Sequence, residues 1–227
     1  MRPTFFFRSI YDLRPGSHLC WLYETEEEHR ALVGPYMRQG LERGEKVLYV
    51  VDAHDADTIL DYLNSDGVNV STYLDRGQLS IRTPQQTYLR GGSFDPMKMI
   101  ALLQASTEEA LKEGFTALRV TGEMSWALAG LPGSEKLIEY EARLNRFLPG
   151  SHCLAICQYD RRRFPASKLI DVLITHPIAV VGTSVYENFY YIPPDDYLSE
   201  HVDEAKLRRW LTNLARWNWD DESAMSA

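Results

Sequence analysis

Glu123, Ser125 and Trp126 place a carboxylate, a hydroxyl and an indole within one short stretch of the chain. They follow Ala117–Thr121, a run rich in branched residues that reads as a central strand. In an open α/β sheet, ligands bind outside the carboxyl ends of the strands. At such a place Glu123 accepts hydrogen bonds or meets a cation, and Trp126 offers a flat apolar wall. Together they suit a small molecule with polar and apolar parts. The structural alternative is a Trp packed as core and a Glu bonded to a nearby backbone amide.

Other expected strands also end in polar or aromatic residues: Tyr23-Glu24, Asp52 and Tyr159-Asp160. In a parallel sheet these ends lie along one edge, although any strand-to-loop change brings polar residues with it. The candidate ligand site is therefore Tyr23, Glu24, Glu123, Trp126, Tyr159, Asp160 and Arg161. Arg161 is the donor for an acidic ligand, because a guanidinium fork matches a carboxylate. Equally, Arg161-Arg162-Arg163 reads as a solvated turn, and a Glu123–Arg pair would merely staple two loops.

Catalytic motifs are missing. A phosphate loop needs glycines and a Lys-Ser or Lys-Thr pair. After the first expected strand the chain instead reads Tyr23-Glu24-Thr25-Glu26-Glu27-Glu28-His29-Arg30, with neither glycine nor lysine. No G-x-S-x-G, H-E-x-x-H or G-x-G-x-x-G is present, and the histidines (His18, His29, His54, His152, His176, His201) are scattered. Cys153 and Cys157 share an expected strand, roughly 13 Å apart at ~3.3 Å per residue, too far for a disulfide. No Cys-His spacing suits zinc, so the cysteines read as small apolar fillers. No catalytic residue, metal ligand or cofactor is expected.

The elements that must position these residues alternate in type. His18–Glu24 reads as a first strand, and Thr25 to Glu28 as a capping box opening a helix with Leu32, Val33, Tyr36, Met37 and Leu41 on one face. Val47–Val51 is a strand buried on both faces. A helix over Asp55–Ser65 and a strand over Gln78–Thr83 follow. Asp95-Pro96 starts a helix that turns Met99, Leu102, Leu103 and Leu111 inward. Pro132-Gly133-Ser134 opens another, with Leu137, Tyr140, Leu144 and Phe147. Cys153–Asp160 is a strand, a short helix carries Leu169, Ile170 and Leu173, and Ile178–Val181 with Phe189–Ile192 reads as a closing hairpin about Gly182. After Pro193-Pro194, a C-terminal helix over about 204–219 bears Trp210, Leu211, Leu214 and Trp217 in a stripe expected to dock on the domain or a second copy. The pattern predicts an α/β three-layer sandwich with a mostly parallel central sheet plus this C-terminal helix. The expected division is residues 1–194 and 195–227.

The 227 residues carry a net charge of −8, which argues against direct nucleic-acid binding. No apolar run approaches the ~20 residues of a membrane span, so a cytoplasmic location without membrane contact is expected.

The segments HLCWLYETEEE, GLERGEKVLYVVD, FDPMKMI, LRVTGEMSWAL, EYEARLN, CQYDRRRFP and ITHP, in that order, resemble the MEDS sensory domain. The resemblance covers approximately Ser17 to Pro194. It implies a RecA/KaiC-like fold without a phosphate loop, and sensing of a small organic ligand on behalf of a signalling or regulatory protein. No helix-turn-helix, kinase or anti-sigma-antagonist segment is recognisable, so the output partner is expected to be separate or the chain a piece of a longer protein. The alternative is a degenerate ATPase fold acting as a protein-interaction module in a kinase or sigma-factor pathway, with an enzyme third. A homodimer is compatible with either.

Overall fold

The computed structural model describes residues 9–225, with side chains to residue 215. Among the described residues, seven strands form one sheet in the order β3-β2-β4-β5-β1-β6-β7. In chain order they are β1 (His18–Tyr23), β2 (Lys46–Val50), β3 (Leu79–Arg82), β4 (Leu118–Glu123), β5 (Cys153–Asp160), β6 (Ile178–Val181) and β7 (Ser184–Glu187). All neighbours are parallel except β6 and β7. Every residue of β1, β4 and β5 is buried, so their apolar residues feed both cores and their polar ones, such as Arg119, Thr121 and Glu123 of β4, must find partners inside.

Successive strand residues point to opposite faces, so each strand feeds two cores. On one face Leu19, Trp21, Tyr23, Tyr49, Leu154 and Ile156 pack beneath α1 (Glu26–Glu42), α2 (Ala56–Ser65) and α3 (Val70–Asp75). On the other, Cys20, Leu22, Leu48, Val120, Ala155 and Cys157 pack beneath α4 (Pro96–Lys112), α5 (Leu137–Phe147) and α6 (Ala166–Thr175). This is the expected three-layer sandwich with a mostly parallel sheet. A short α7 (Pro194–Tyr197) leads into α8 (Val202–Met225).

Local signals set the helix starts. Thr25 caps α1 by accepting from the Glu28 amide at 3.1 Å. Glu28 reaches back as foreseen, but onto the Glu24 amide at 2.7 Å rather than that of the cap. Asp95 caps α4 through the amides of Met97 and Lys98.

Several expectations are corrected. The last strand lies at Ser184–Glu187, not Phe189–Ile192. Gly182 takes φ +59 and, with Thr183, closes a tight two-residue turn that pairs Val181 with Ser184, using up the strand before Phe189. Leu111 is exposed, because α4 presents a narrower apolar face than its sequence promises. The six-residue α3 had no sequence signal and lacks a side-chain cap. The C-terminal helix docks only in part: Ala205 is buried and Trp210 packs beside it, whereas Leu207, Leu211 and Leu214 are exposed. The side chain of Trp217 lies outside the described residues.

Candidate functional site

β1, β2, β4 and β5 are neighbours, so their carboxyl ends meet. Glu123 ends β4, and the loop after β2 folds over its carboxylate. Oε2 accepts from the successive amides of Asp52 (2.8 Å), Ala53 and His54 (3.0 Å). Oε1 accepts from Tyr49 Oη and faces His54 Nδ1, both at 2.9 Å. His54 Nε2 lies 2.8 Å from Glu26 Oε2, and Arg162 bridges Glu26 at 2.7 Å and Asp160 at 2.8 Å. Charges alternate along this row: Glu123, His54, Glu26, Arg162, Asp160.

The electrostatics follow from that geometry. The hydrogen bond to Glu123 pushes the His54 imidazole up to about 9, against its partial burial, so it is an imidazolium at neutral pH. Arg162 and then His54 pull the Glu26 carboxyl down to about 2. Burial opposes ionisation of Glu123, yet its bonds to the His54 side chain and amide hold it below the usual carboxylate range. His29 stacks on His54 with ring centroids 4.1 Å apart, and burial followed by the neighbouring His54 charge pulls it down to about 4. Glu26, His29 and His54 bring three donors close enough for a metal ion. Both nitrogens of His54 already face carboxylates, however, so the proton serves where an ion would.

The expected site residues divide across the sheet. Tyr23, Glu123 and Asp160 share the α1 face. Arg161 pairs with Glu24 at 3.1 Å on the exposed rim, so it is not the free donor expected for an acidic ligand. Glu123 pairs with a histidine rather than an arginine. Trp126 and Tyr159 belong to the opposite core. Trp126 lies in a 3-10 helix over Met124–Ala129 and stacks on Tyr88 at 4.9 Å. Tyr159 Oη donates to Glu141 at 2.5 Å. Alternation along β5 is the reason: Tyr159 and Asp160 are adjacent and must face opposite ways. A single pocket lined by Glu123, Trp126 and Tyr159 does not form.

Sequence reasoning misses His54, Glu26 and Arg162, each two residues beyond the strand exits at Asp52, Glu24 and Asp160. It also misses a cleft of about 270 Å³ lined by Thr87, Tyr88, Arg90, Ser93, Asp95, Lys98, Met99 and Leu102. The cleft lies between the segment after β3 and the start of α4, beside the carboxyl edge. Tyr88 forms its inner wall. A Cβ added to Gly122 would lie 2.4 Å from Tyr88 Oη, so only glycine lets this ring settle over β4. Arg90 and Lys98 are exposed and, among the described residues, form no salt bridge.

The β1–α1 connection is only Glu24 and Thr25, and the amides of Glu24 and Glu28 are occupied by the chain's own side chains. The class is thus a RecA/KaiC-like α/β domain in which that turn has no phosphate loop. In agreement, the fold is similar to the flagellar accessory protein FlaH of Methanocaldococcus jannaschii (TM-score 0.50, 15% identity, 74% of this chain and 72% of that one). A KaiC-like protein of Pyrococcus horikoshii gives a TM-score of 0.49 at 15% identity, over 74% of this chain and 71% of that one. Residues 17–177 match the family described as MEthanogen/methylotroph, DcmR Sensory domain. The chain belongs to this MEDS family. It is also 25% identical over 166 residues to the transcriptional repressor DcmR of Methylorubrum extorquens, a match covering 73% of this chain and 60% of the repressor. No helix among the described residues is long and apolar enough to cross a membrane.

Proposed function

We propose that this chain is a non-catalytic sensory domain that takes a small organic ligand into the Tyr88 cleft and passes its occupancy to a regulatory protein. The observation that carries the reading is the shared position of Tyr88. One side of its ring lines the cleft, while the ring stacks on Trp126 and its hydroxyl rests over Gly122. A ligand that shifts Tyr88 therefore disturbs the 3-10 helix and the strand exit behind it. Met99 and Leu102 offer an apolar wall, and Arg90 and Lys98 favour a ligand with one acidic end. The row from Glu123 to Asp160 holds the carboxyl edge rigid beside the cleft. Membership of the sensory family supports the regulatory half of the reading, and the occupied amides of the β1–α1 turn support the absence of nucleotide chemistry.

Mass spectrometry of small molecules released from the purified protein tests the proposal. A single organic species at one per chain, lost on Lys98→Ala and on Arg90→Ala without loss of melting temperature, is expected. Retention of that species by both variants would sink the cleft as the binding site. The interaction-module reading draws on the stripe of Leu207, Leu211 and Leu214 on α8. It would gain if no ligand were found and substitution of that stripe abolished regulation.

A further inference from the structure

The face of the sheet away from Glu123 carries a second set of donors, which ligand sensing as proposed does not use. His18 opens β1, Glu141 lies in α5, Cys157 in β5, and His176 directly follows α6. All four are buried. His18 Nε2, His176 Nε2 and Cys157 Sγ each lie 3.3 Å from Glu141 Oε2, and Cys157 Sγ lies 3.7 Å from His18 Nε2. The donors come from four elements, so no spacing along the chain announces them. Cys157 is correspondingly no mere filler.

The surrounding hydrogen bonds fix which ring nitrogens carry protons. His176 Nδ1 lies 2.7 Å from the carbonyl oxygen of Val172, which only accepts, so Nδ1 holds a hydrogen and Nε2 is the nitrogen available to a metal ion. His18 Nδ1 faces Asn145 Oδ1 at 2.9 Å. The Asn145 amide nitrogen donates to the carbonyls of Thr175 (2.7 Å) and Glu141 (3.1 Å), which establishes Oδ1 as the acceptor. Both Nε2 atoms therefore point at one carboxylate oxygen, each 3.3 Å away. Among the described residues, fully buried His176 Nε2 meets only the Glu141 carboxylate, at a distance and angle that do not make a well-formed hydrogen bond. Two ring nitrogens and a carboxylate oxygen converging on one point need positive charge between them, supplied either by a proton or by a metal ion.

We propose that His18 Nε2, His176 Nε2, Cys157 Sγ and Glu141 Oε2 bind one divalent transition-metal ion, zinc by preference, as a closed structural site. Tetrahedral zinc with nitrogen and oxygen ligands at ~2.1 Å and sulfur at ~2.3 Å has ligand–ligand edges of about 3.4–3.6 Å. The four separations above bracket that range, and all four donor atoms lie within 4.8 Å of one another. Each imidazole donates its other N–H to a carbonyl oxygen, the outer-shell arrangement that orients metal-bound histidines. Tyr159 Oη steadies the second oxygen of Glu141 in the same way. On binding, Cys157 loses its thiol proton to solvent. The thiolate and carboxylate then cancel the two charges of the ion, and a neutral complex is one that a dry core can hold. With four protein ligands and no open position, the ion ties β1, β5, α5 and the end of α6 together and does no chemistry.

Metal analysis of the full chain tests this, followed by stripping with a strong chelator in denaturant and refolding with cobalt. One zinc per chain is expected as purified. After refolding, one cobalt per chain with a tetrahedral ligand-field spectrum and a thiolate charge-transfer band is expected. Metal loading should raise the melting temperature by roughly 10 °C. Cys157→Ser should lose the charge-transfer band. Should that variant fail to fold, the band in the unaltered chain decides by itself. No metal after refolding with equimolar zinc or cobalt overturns the proposal and leaves an imidazolium paired with Glu141. Cobalt bound without a thiolate band overturns it too.

Discussion

His54 and His29 lie face to face and titrate in opposite senses, which gives stability a defined pH course. His29 is pulled down to about 4, so between there and its ordinary 6.5 the unfolded chain binds the extra proton, and stability rises with pH. His54 is raised to about 9, so its contribution is complete below 6.5 and is lost as pH climbs through about 9. Stability should peak near 6.5 and fall on the alkaline side by on the order of 2 kcal/mol. Urea unfolding across this range checks the shape, and His54→Gln should abolish the alkaline decline. Glu123→Gln removes the anion that three amides and an imidazolium share. A loss of about 2–4 kcal/mol is expected in equilibrium unfolding. Trp126→Ala should cost about 3–5 kcal/mol, because the indole is core packing behind Tyr88. Glu123 was legible in the sequence because it ends an obviously buried strand. His54 was not, since its importance arises only when the β2 loop folds over a neighbouring strand.

Elements were read best where a cap or a turn fixed them chemically. Asp95-Pro96 and Thr25 mark true helix starts, and Thr25→Ala should cost about 1 kcal/mol in the same unfolding measurement. β5 runs over the expected residues because both its faces are buried. The closing hairpin slipped because Phe189–Ile192 has strand-like composition while Gly182 already dictates the turn. Asn188 then ends the ladder, its side chain donating to the carbonyls of Leu173 (2.5 Å) and His176 (2.7 Å). α8 packs over Ile174 and Ile192 through Ala205, and Trp210 Nε1 reaches the Tyr190 carbonyl at 3.3 Å. Truncation after Pro194 should uncover these apolar side chains and lower the urea midpoint. An unchanged midpoint would mean that α8 is only an appendage.

At the scale of the molecule, alternating helices and buried strands were enough to give the layers, but not which side chains meet across them. The split of Tyr159 from Asp160 shows why: strand order and pleat decide the partner, and neither is written in one segment. The same turn chemistry predicts that the intact protein shows no micromolar affinity for Mg-ATP in calorimetric titration. The strand order has one more consequence. β1 is flanked by β5 on one side and on the other by β6, where Leu19–Leu22 pairs with Ile178–Val181. Trp21 Nε1 also donates to the Gly182 carbonyl at 2.8 Å. Yet the family match ends at residue 177, one position before β6 begins. A chain cut at that recognisable boundary would leave β1, a fully buried interior strand, with a bare row of amides and carbonyls, a template for another molecule's strand. The boundary of kinship and the boundary of folding differ here by a single hairpin, and a protein trimmed to the first should precipitate as intermolecular sheet.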